Sequence, residues 1–268
     1  MHPQATQGMR RLQQDGLAYY QFLRLAAERC LRHGIFTRVG GVSEPPFASL
    51  NVGASVGDDP DAVVENRRRC FATLELDESQ VVTPHQVHGT AVAEVGKQER
   101  GRVIEATDGL ITAEAGVALF LRFADCVPIV LYDRERPAIG LVHAGWRGAL
   151  DGIAAQAVAA MRRSFGSEPG RLWAGIGPAI GPCCYEVAGD LAERFARRFG
   201  PEVIARPWAG TWHLDLPGAV AAALGEAGVQ EVERAQLCTA CHCREFFSHR
   251  REQGRTGRFA AVIGLVKG

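Results

Sequence analysis

The segment LVHAGWRGALDGIAAQAVAAM, residues 141–161, begins as an apolar strand and ends as an amphipathic helix. Apolar side chains recur at helical spacing from Leu150 to Met161, which predicts that one face of this helix packs on a core. The bend between strand and helix contains a histidine, a tryptophan, an arginine and two glycines: His143, Gly145, Trp146, Arg147 and Gly148. This bend is either an ordinary turn or a reaction centre, with a metal ligand at the strand end and an anion site at the helix start.

The rest of the chain continues this mixture of strands and helices. Short apolar or β-branched runs between turn residues predict strands at 35–43, 81–95, 117–123, 127–133, 138–145, 171–182 and 258–266. Apolar periodicity and end signals predict helices at 17–34, 60–74, 187–199 and 216–227. Residues 1–16 are polar and are expected to form a loose extension. Because there is no internal repeat and no linker, we expect one mixed α/β domain.

Composition limits the class of protein. The 268 residues are 47% hydrophobic and 22% charged, which is typical of a globular protein. Thirty basic residues balance thirty acidic ones, so net charge favours neither a nucleic-acid partner nor a membrane surface. The first residues lack the apolar core of a signal peptide, and no run is long enough to span a membrane. We therefore expect a cytoplasmic protein whose eight cysteines are thiols, metal ligands or nucleophiles rather than disulfides.

Three ligand-type side chains stand at the ends of predicted strands: His88 in HQVHGT, Cys126 in FADCVPI and His143 in VHAGWRG. Two imidazoles and a thiolate are a good zinc set, and three protein ligands leave a fourth position for water or substrate. The alternative is a small buried thiol beside two hydrogen-bonded core histidines. His85 lies three residues before His88, and on a strand these two side chains point to opposite faces, so only one can join the site.

A second cysteine-rich segment, CTACHCREFF at 238–247, contains the C-x-x-C-H pattern of c-type haem attachment. Haem attachment of that kind usually requires export, so without a signal peptide we expect no haem and no catalytic role here. Cys238 and Cys241 also form a zinc half-site, which Cys183 and Cys184 complete in principle. Adjacent cysteines rarely both bind one ion, however, and incidental thiols are the simpler interpretation.

Eight motifs occur in an order that resembles one known family. They are TRVGGVSEPPFASLNVG (37–53), GDDPDAVVENRRR (57–69), QVHGT (86–90), TDGLIT (107–112), ADCVPI (124–129), HAGWRG (143–148), GIGPAIGPCCYEV (175–187) and FFSHRREQGRTGR (246–258). HAGWRG together with ADC and QVHG is far more specific than any single motif. The chain resembles the YfiH-like family, also called laccase-domain or multicopper polyphenol oxidase proteins and now viewed as purine nucleoside phosphorylases.

The resemblance implies a fold and a ligand set. The fold is α/β, a single mixed domain forming an α/β/β/α layered sandwich of the YfiH type over 33–268, after an N-terminal extension over 1–32 with one helix. The implied cofactor is zinc, with copper as an alternative or adventitious metal. The residues implied to bind the metal and carry catalysis are His88, Cys126 and His143, and His85 is implied not to be a ligand.

Four residues depart from the family pattern: Phe123, Cys241, His242 and Cys243. The family usually has threonine where this chain has Phe123, which is expected to alter the polarity of the pocket. Cys238 matches a cysteine common in the family's last motif, whereas Cys241, His242 and Cys243 do not. This mismatch further weakens the haem interpretation.

The activity implied is phosphorolysis of adenosine, inosine, guanosine or methylthioadenosine, with adenosine deamination as a side activity. The partners expected are therefore purine nucleosides and phosphate. We expect Arg147 and the unpaired N–H groups at the start of the following helix to bind phosphate, with Arg38 and Arg250 as the next candidates. The rival interpretation of Arg147 is a structural salt bridge, and Trp146 is expected to cap the core rather than stack on the base.

Three other functions remain open. A copper-dependent polyphenol oxidase of the laccase type needs a blue-copper site and a separate histidine-rich cluster, which eight scattered histidines fit poorly. A cysteine hydrolase that edits peptidoglycan precursors would use Cys126 as nucleophile and a histidine as base. A zinc-stabilised interaction domain would have no turnover at all.

Overall fold

The computed structural model describes residues 8–267. Six α-helices occur in this part of the chain: α1 (Leu23–Ala26), α2 (Pro60–Thr73), α3 (Trp146–Leu150), α4 (Ile153–Phe165), α5 (Gly189–Phe199) and α6 (Leu216–Glu226). Fifteen strands occur in the same residues: β1 (Met9–Gln14), β2 (Leu17–Phe22), β3 (Leu31–Phe36), β4 (Val81–Pro84), β5 (Val92–Glu94), β6 (Val103–Ile104), β7 (Gly109–Thr112), β8 (Val117–Phe123), β9 (Val127–Asp133), β10 (Ala138–Ala144), β11 (Leu172–Ile176), β12 (Ile204–Ala205), β13 (His213–Leu214), β14 (Glu231–Arg234) and β15 (Phe259–Leu265).

Two sheets carry most of these strands. The first has the order β1-β2-β3-β15-β8-β4-β6, and the second has the order β14-β11-β9-β10-β7-β5. The long strands β9 and β10 pair antiparallel near the middle of the second sheet, and every residue of both is buried. Strands that are covered on both faces read as continuous apolar runs, which is why the sequence predicted them correctly.

Three hydrophobic layers of buried side chains lie between the helices and the two sheets. Helix α2 packs on the outer face of the first sheet, where Phe71 meets Phe120 edge to face. The two sheets pack against each other through a second layer that includes Leu121 and Leu141. Helices α4, α5 and α6 cover the outer face of the second sheet, with Met161 in that third layer. The predicted α/β/β/α sandwich is confirmed.

Among the described helices, none is long and apolar enough to cross a membrane.

The predicted helix over 17–34 is wrong. These residues form β2, the single turn α1 and the start of β3. Along β2, Leu17 and Tyr19 face the α2 layer, whereas Tyr20 and Phe22 face the layer between the sheets. Because both faces of this strand are buried, it lacks the polar alternation that would have separated it from a helix.

Residues 9–14 of the predicted extension belong to the first sheet. Strand β1 pairs with β2 from Met9 opposite Phe22 to Gln14 opposite Leu17. The hairpin turns at Asp15 and Gly16, whose φ angles of 51° and 82° suit a tight two-residue turn. Residues 1–7 lie outside the described part of the chain.

The segment over 141–161 contains two helices where one was predicted. Helix α3 ends at Leu150, and Gly152 adopts a φ of 91° before α4 begins. The helix start beside Arg147 therefore belongs to a helix of five residues, with only a small dipole. The predicted strand over 81–95 is likewise broken into β4 and β5.

Candidate functional site

Three ligand-type side chains meet at one end of the sheets. Cys126 lies between β8 and β9, and His143 is the penultimate residue of β10. His88 lies in the loop over 85–91 that joins β4 to β5. Their ligand atoms all lie within 4.8 Å of one another, and the two imidazole rings meet edge to face with centroids 4.8 Å apart. These three residues form what we call the histidine–cysteine site.

The buried carboxylate of Asp108 holds this site together. One of its oxygens accepts hydrogen bonds from the backbone N–H groups of Val87 (3.1 Å) and Gly89 (2.7 Å). The other accepts from the backbone N–H of His88 (2.9 Å) and lies 2.8 Å from Nδ1 of His143. Burial alone would raise the pKa of Asp108, but the hydrogen bonds from His143 and Gly89 outweigh it and hold this pKa below its usual value. Since Nδ1 of His143 is engaged, Nε2 is the ring nitrogen free to bind a ligand.

The backbone is strained at two positions beside the site. His88 has a φ of 62° and Asp125 a φ of 82°, values that cost a non-glycine residue on the order of 1 kcal/mol. The Asp125 carboxylate accepts hydrogen bonds from Oγ1 of Thr239 (2.6 Å) and from the backbone N–H of Arg250 (2.7 Å). These bonds support the sharp turn that directs the Cys126 side chain toward the histidines.

Gly145 lies against the histidine–cysteine site, and its lack of a side chain matters there. A Cβ atom at this position would lie 3.0 Å from Cδ2 of His88 and 3.3 Å from Sγ of Cys126. Any larger residue would push on two of the three ligand-type side chains. The first glycine of HAGWRG is therefore explained by the close approach of His88 and Cys126, and not by its backbone conformation, since its φ is −76°.

Charge within the site favours a thiolate beside an imidazolium. Burial raises the pKa of the Cys126 thiol, but the adjacent imidazoles of His143 and His88 outweigh it and lower this pKa to about 6. Burial lowers the pKa of His143, but the Cys126 thiolate and the Asp108 carboxylate outweigh it and raise that pKa to about 9. The thiolate is the form of cysteine that binds metals and the form that attacks electrophiles.

The donor chemistry of the site fits zinc. Zinc accepts imidazole nitrogen and thiolate sulfur together, and a catalytic zinc keeps one of its four positions open. The contact between His143 and Asp108 is the carboxylate–histidine pair that commonly fixes the orientation of a metal-binding histidine. The residues present therefore suit a zinc ion with three protein ligands.

The site opens into a cavity of about 740 Å³. Four arginines contribute to its lining: Arg122, Arg147, Arg250 and Arg258. Asp125 is the only carboxylate among the described lining residues, and its oxygens are already engaged. Burial, followed by the neighbouring charges of Arg67 and Arg258, lowers the pKa of Arg122 to about 10, so Arg122 stays cationic at neutral pH. Cations gathered without acidic partners indicate a site for an anionic ligand.

The sequence of residues 32–266 matches a family described as multi-copper polyphenol oxidoreductase laccase. The chain belongs to this family. The resemblance indicated by the eight motifs is thereby confirmed.

Curated proteins and solved structures are similar to this laccase-family chain over most of its length. A protein of Geobacillus stearothermophilus named purine nucleoside phosphorylase YlmD is 42% identical, covering 86% of this chain and 89% of its own. A protein of Corynebacterium glutamicum, also named purine nucleoside phosphorylase, is 39% identical and covers 89% and 96%. The crystal structure of the Bacillus licheniformis hypothetical protein YfiH superposes with a TM-score of 0.88 at 36% identity, covering 95% of this chain and 98% of that one.

In this laccase-family chain, two of the three predicted phosphate-binding arginines line the cavity. Arg147 is exposed there, with its guanidinium stacked 4.3 Å over the ring of Trp146, and it forms no ion pair within the described residues. Trp146 both packs on the core and lines the cavity. Arg250 also lines it, with Nη1 donating to the Glu186 carbonyl.

Arg38 is not brought to this cavity. Its guanidinium donates to the carboxylate of Glu252 (2.8 Å) and to the carbonyl oxygens of Ala48 (2.9 Å) and Cys243 (3.1 Å). These bonds tie three parts of the chain together, so the expectation that Arg38 binds phosphate is corrected to a structural role. Phe123 is also absent from the cavity wall, because its ring is buried against the His143 imidazole with centroids 5.5 Å apart.

Sequence reasoning missed three residues of this site. Asp108 lies in the TDGLIT motif and Arg258 ends the FFSHRREQGRTGR motif, but neither was named as a site residue, and Arg122 lies in none of the eight motifs. Strand geometry allowed only one of His85 and His88 to join the site without deciding which, and the family resemblance implied that His85 is not a ligand. His85 lines the cavity with Nδ1 2.8 Å from Glu105. The structure brings His88 to Cys126 and His143 because Asp108 binds the loop backbone, not because of strand alternation.

Proposed function

We propose that this chain is a zinc-dependent purine nucleoside phosphorylase. It would convert adenosine, inosine, guanosine or methylthioadenosine and phosphate into the free base and the sugar 1-phosphate, with adenosine deamination as a side activity. The observation that carries this proposal is a three-ligand histidine–cysteine site opening into a cavity lined by four arginines. Relatives that are 35–42% identical and named purine nucleoside phosphorylase support it.

In this proposal His88, Cys126 and His143 hold the zinc ion. When bound, the ion supplies a Lewis acid within reach of the cavity. Asp108 keeps His143 in the tautomer that presents Nε2, and it also fixes the His88 loop. These contacts fix the positions of the ligand-type side chains, which lowers the cost of ordering them around an ion.

The arginines orient the second substrate. An oxygen of phosphate attacks the anomeric carbon while the bond from that carbon to the base nitrogen breaks, and the bonding electrons leave with the base. Arg147 and Arg250, which both line the cavity, hold the phosphate dianion through charge-assisted hydrogen bonds. Burial raises the pKa of Tyr185 to about 12, so its phenol keeps a proton at the cavity wall when the base departs.

The test is product identification from the four nucleosides, with and without phosphate, on protein of measured metal content. The expected products with phosphate are the free base and the sugar 1-phosphate in equal amounts. Adenosine alone is expected to give inosine and ammonia slowly. Base plus free sugar at a rate independent of phosphate, or no turnover of any nucleoside, would contradict the proposal.

Arg147→Ala is expected to raise the KM for phosphate about 10- to 100-fold, because a charge-assisted hydrogen bond contributes about 1.5–3 kcal/mol. Zinc content should stay at the parent level, since Arg147 is not part of the histidine–cysteine site. Deamination of adenosine consumes no phosphate and should change little. Steady-state kinetics with phosphate as the varied substrate give the result.

Arg163→Ala is the matched control for this prediction. Arg163 is an exposed arginine of α4 outside the cavity lining, so its removal should leave the KM for phosphate unchanged. An unchanged phosphate KM in folded, zinc-loaded Arg147→Ala would show that phosphate is bound by other groups. Arg250, Arg122 and Arg258 would then be tested in its place.

One observation favours a second candidate function. Cys126, His143 and Asp108 form a chain of thiolate, imidazolium and carboxylate, which is the arrangement of a cysteine nucleophile with its base and orienting acid. A cysteine hydrolase acting on peptidoglycan precursors would need no metal and would be inactivated by thiol alkylation at full zinc content. Protection of Cys126 from alkylation by bound zinc supports the phosphorylase instead.

The copper oxidase alternative rests on the family description alone. In the described residues, ligand-type side chains gather into two groups, and neither is the histidine-rich cluster that a multicopper oxidase needs. One copper ion fits the histidine–cysteine site at most. Phenol oxidation by copper-loaded protein, compared with nucleoside turnover by zinc-loaded protein, separates the two functions.

A further inference from the structure

Four cysteine sulfurs gather outside the cavity, in a group that the proposed reaction does not use. Cys183 and Cys184 come from the loop between β11 and α5, and Cys238 and Cys241 come from the loop between β14 and β15. All four Sγ atoms lie within 4.8 Å of one another. We call these residues the four-cysteine group. Two cysteine pairs separated by more than fifty residues are thus brought to one point.

The spacing of these sulfurs suits a tetrahedral ion. Zinc–sulfur bonds of about 2.3 Å place the sulfurs of a tetrahedral site about 3.8 Å apart. Sγ of Cys241 lies 3.4 Å from Sγ of Cys183 and 3.4 Å from Sγ of Cys184. The observed distances therefore bracket those of a closed four-thiolate site.

Local backbone structure explains how two adjacent cysteines both join the group. The N–H groups of Cys184 and Tyr185 both donate to the Gly181 carbonyl at 3.0 Å, which folds this segment into a tight turn. A backbone N–H also points at the group, since that of Gly181 donates to Sγ of Cys238 at 3.3 Å. Such N–H···S contacts stabilise a thiolate, and they are typical of structural metal sites.

Two other potential ligands of the same segment, His242 and Cys243, lie outside the four-cysteine group. Nδ1 of His242 lies 2.9 Å from the Cys238 carbonyl oxygen, and His242 is not among the residues that gather with the sulfurs. Cys243 also lies outside the four-cysteine group. The ligand set is therefore sulfur only, which selects zinc-type structural sites over oxygen-binding cations.

We propose that Cys183, Cys184, Cys238 and Cys241 bind one structural zinc ion, separate from the ion of the histidine–cysteine site. Cys183 and Cys241 are exposed, so a metal can enter from solvent, whereas Cys238 is buried and anchors the site. Four thiolates fill the coordination sphere, which leaves no position for a substrate. The role of this ion is to hold the structure together.

The proposed ion would join two walls of the cavity. Next to Cys184 is Tyr185, which lines the cavity, and next to Cys238 is Thr239, which supports Asp125. The loop of Cys238 continues to Arg250, another lining residue. Removing this metal is therefore expected to lower the thermal midpoint and to loosen one side of the cavity.

Metal analysis of purified variants tests the inference. The parent protein, saturated with zinc and freed of excess, is expected to hold two zinc ions per chain. Cys183→Ser combined with Cys241→Ser should lose one of them, as should Cys126→Ala, which removes the other site. Cys243→Ser is the matched control in the same segment and should keep both.

X-ray absorption of the single zinc in Cys126→Ala keeps the inference testable if the double variant does not fold. Four sulfur neighbours at about 2.3 Å are expected there, and any nitrogen or oxygen neighbour in the first shell would overturn the four-thiolate assignment. Parent protein with one zinc, lost in Cys126→Ala alone, would overturn this inference and leave the proposed function standing. Parent protein with one zinc that is lost in the Cys183→Ser, Cys241→Ser variant and kept in Cys126→Ala would overturn the proposed function and leave this inference standing.

A disulfide is the competing use of these sulfurs. Thiol titration of chelated, denatured protein is expected to find all eight cysteines free. Six free thiols, with a disulfide mapped within the four-cysteine group of protein purified without oxidant, would overturn the inference.

Discussion

Cys126→Ala is expected to lose one zinc ion per chain and to lower phosphorolysis by more than about 100-fold, since even outer partners of a metal site contribute 10- to 100-fold. The physical reason is that Cys126 supplies the only thiolate of the histidine–cysteine site. Two imidazoles that remain alone bind zinc far more weakly than three ligands do. Metal content and sugar 1-phosphate formation, measured on the same preparation, give the result.

Cys30→Ala serves as the control for that variant. Cys30 is another partly buried cysteine, whose Sγ lies 3.8 Å from the Tyr132 hydroxyl, away from both cysteine-containing sites. It should retain full metal and full turnover. Cys126→Ala that keeps its zinc but loses all turnover would identify Cys126 as a nucleophile, and the hydrolase would then replace the phosphorylase.

Asp108→Asn is expected to weaken zinc binding about 10- to 100-fold and to lower the free energy of unfolding by about 3 kcal/mol. The Asp108 carboxylate accepts four hydrogen bonds, two at each oxygen. An asparagine amide has one acceptor oxygen, so its NH₂ group must face donors on one side. Zinc titration with a competing chelator and urea unfolding of the metal-free protein measure the two effects separately.

Asp133→Asn provides the matched control. Asp133 is also a buried aspartate, but one of its oxygens accepts from the N–H groups of Glu135 and Arg136 while the other has no partner among the described residues. An asparagine there keeps its acceptor, so stability should fall less and zinc affinity should not change. Equal zinc affinity in Asp108→Asn and the parent would refute the orienting role of Asp108.

The strands at the middle of the fold were predictable because their burial on both faces is reflected directly in their apolar sequences. β8, β9 and β15 are seven-residue runs that are apolar except for Arg122 and Asp133, and turn residues bound them, as expected of strands that are buried on both sheet faces. The start of α2 was predictable as well, because Asp59 caps it by accepting from the Asp61 N–H at 3.0 Å.

The N-terminal hairpin was missed although one local signal was present. Asp15 and Gly16 form the two-residue turn that favours a hairpin, but the apolar run after them was interpreted by its helical composition. The break between α3 and α4 depends on Gly152, whose left-handed backbone is compatible with many contexts. Neither outcome follows from hydrophobic periodicity.

For the candidate site, the sequence predicted which side chains could be metal ligands, but it did not predict the residues that position them. His88, Cys126 and His143 stood out as polar residues next to apolar runs, and the structure brings them together. Asp108 and Arg122 act through contacts with residues that are distant in sequence, which no local pattern reports. The meeting of the two cysteine pairs likewise depends on the loops after β11 and β14, which lie beside each other only because those strands pair.

The central claim is that zinc in the histidine–cysteine site is required for nucleoside phosphorolysis. Its most direct test is a zinc titration of metal-free protein, following sugar 1-phosphate formation from inosine and phosphate, with Cys126→Ala titrated in parallel. The account predicts that turnover appears as zinc is added to the parent protein and stays absent in Cys126→Ala at every zinc concentration. Full turnover by the metal-free parent, or recovery of Cys126→Ala by zinc, would contradict it.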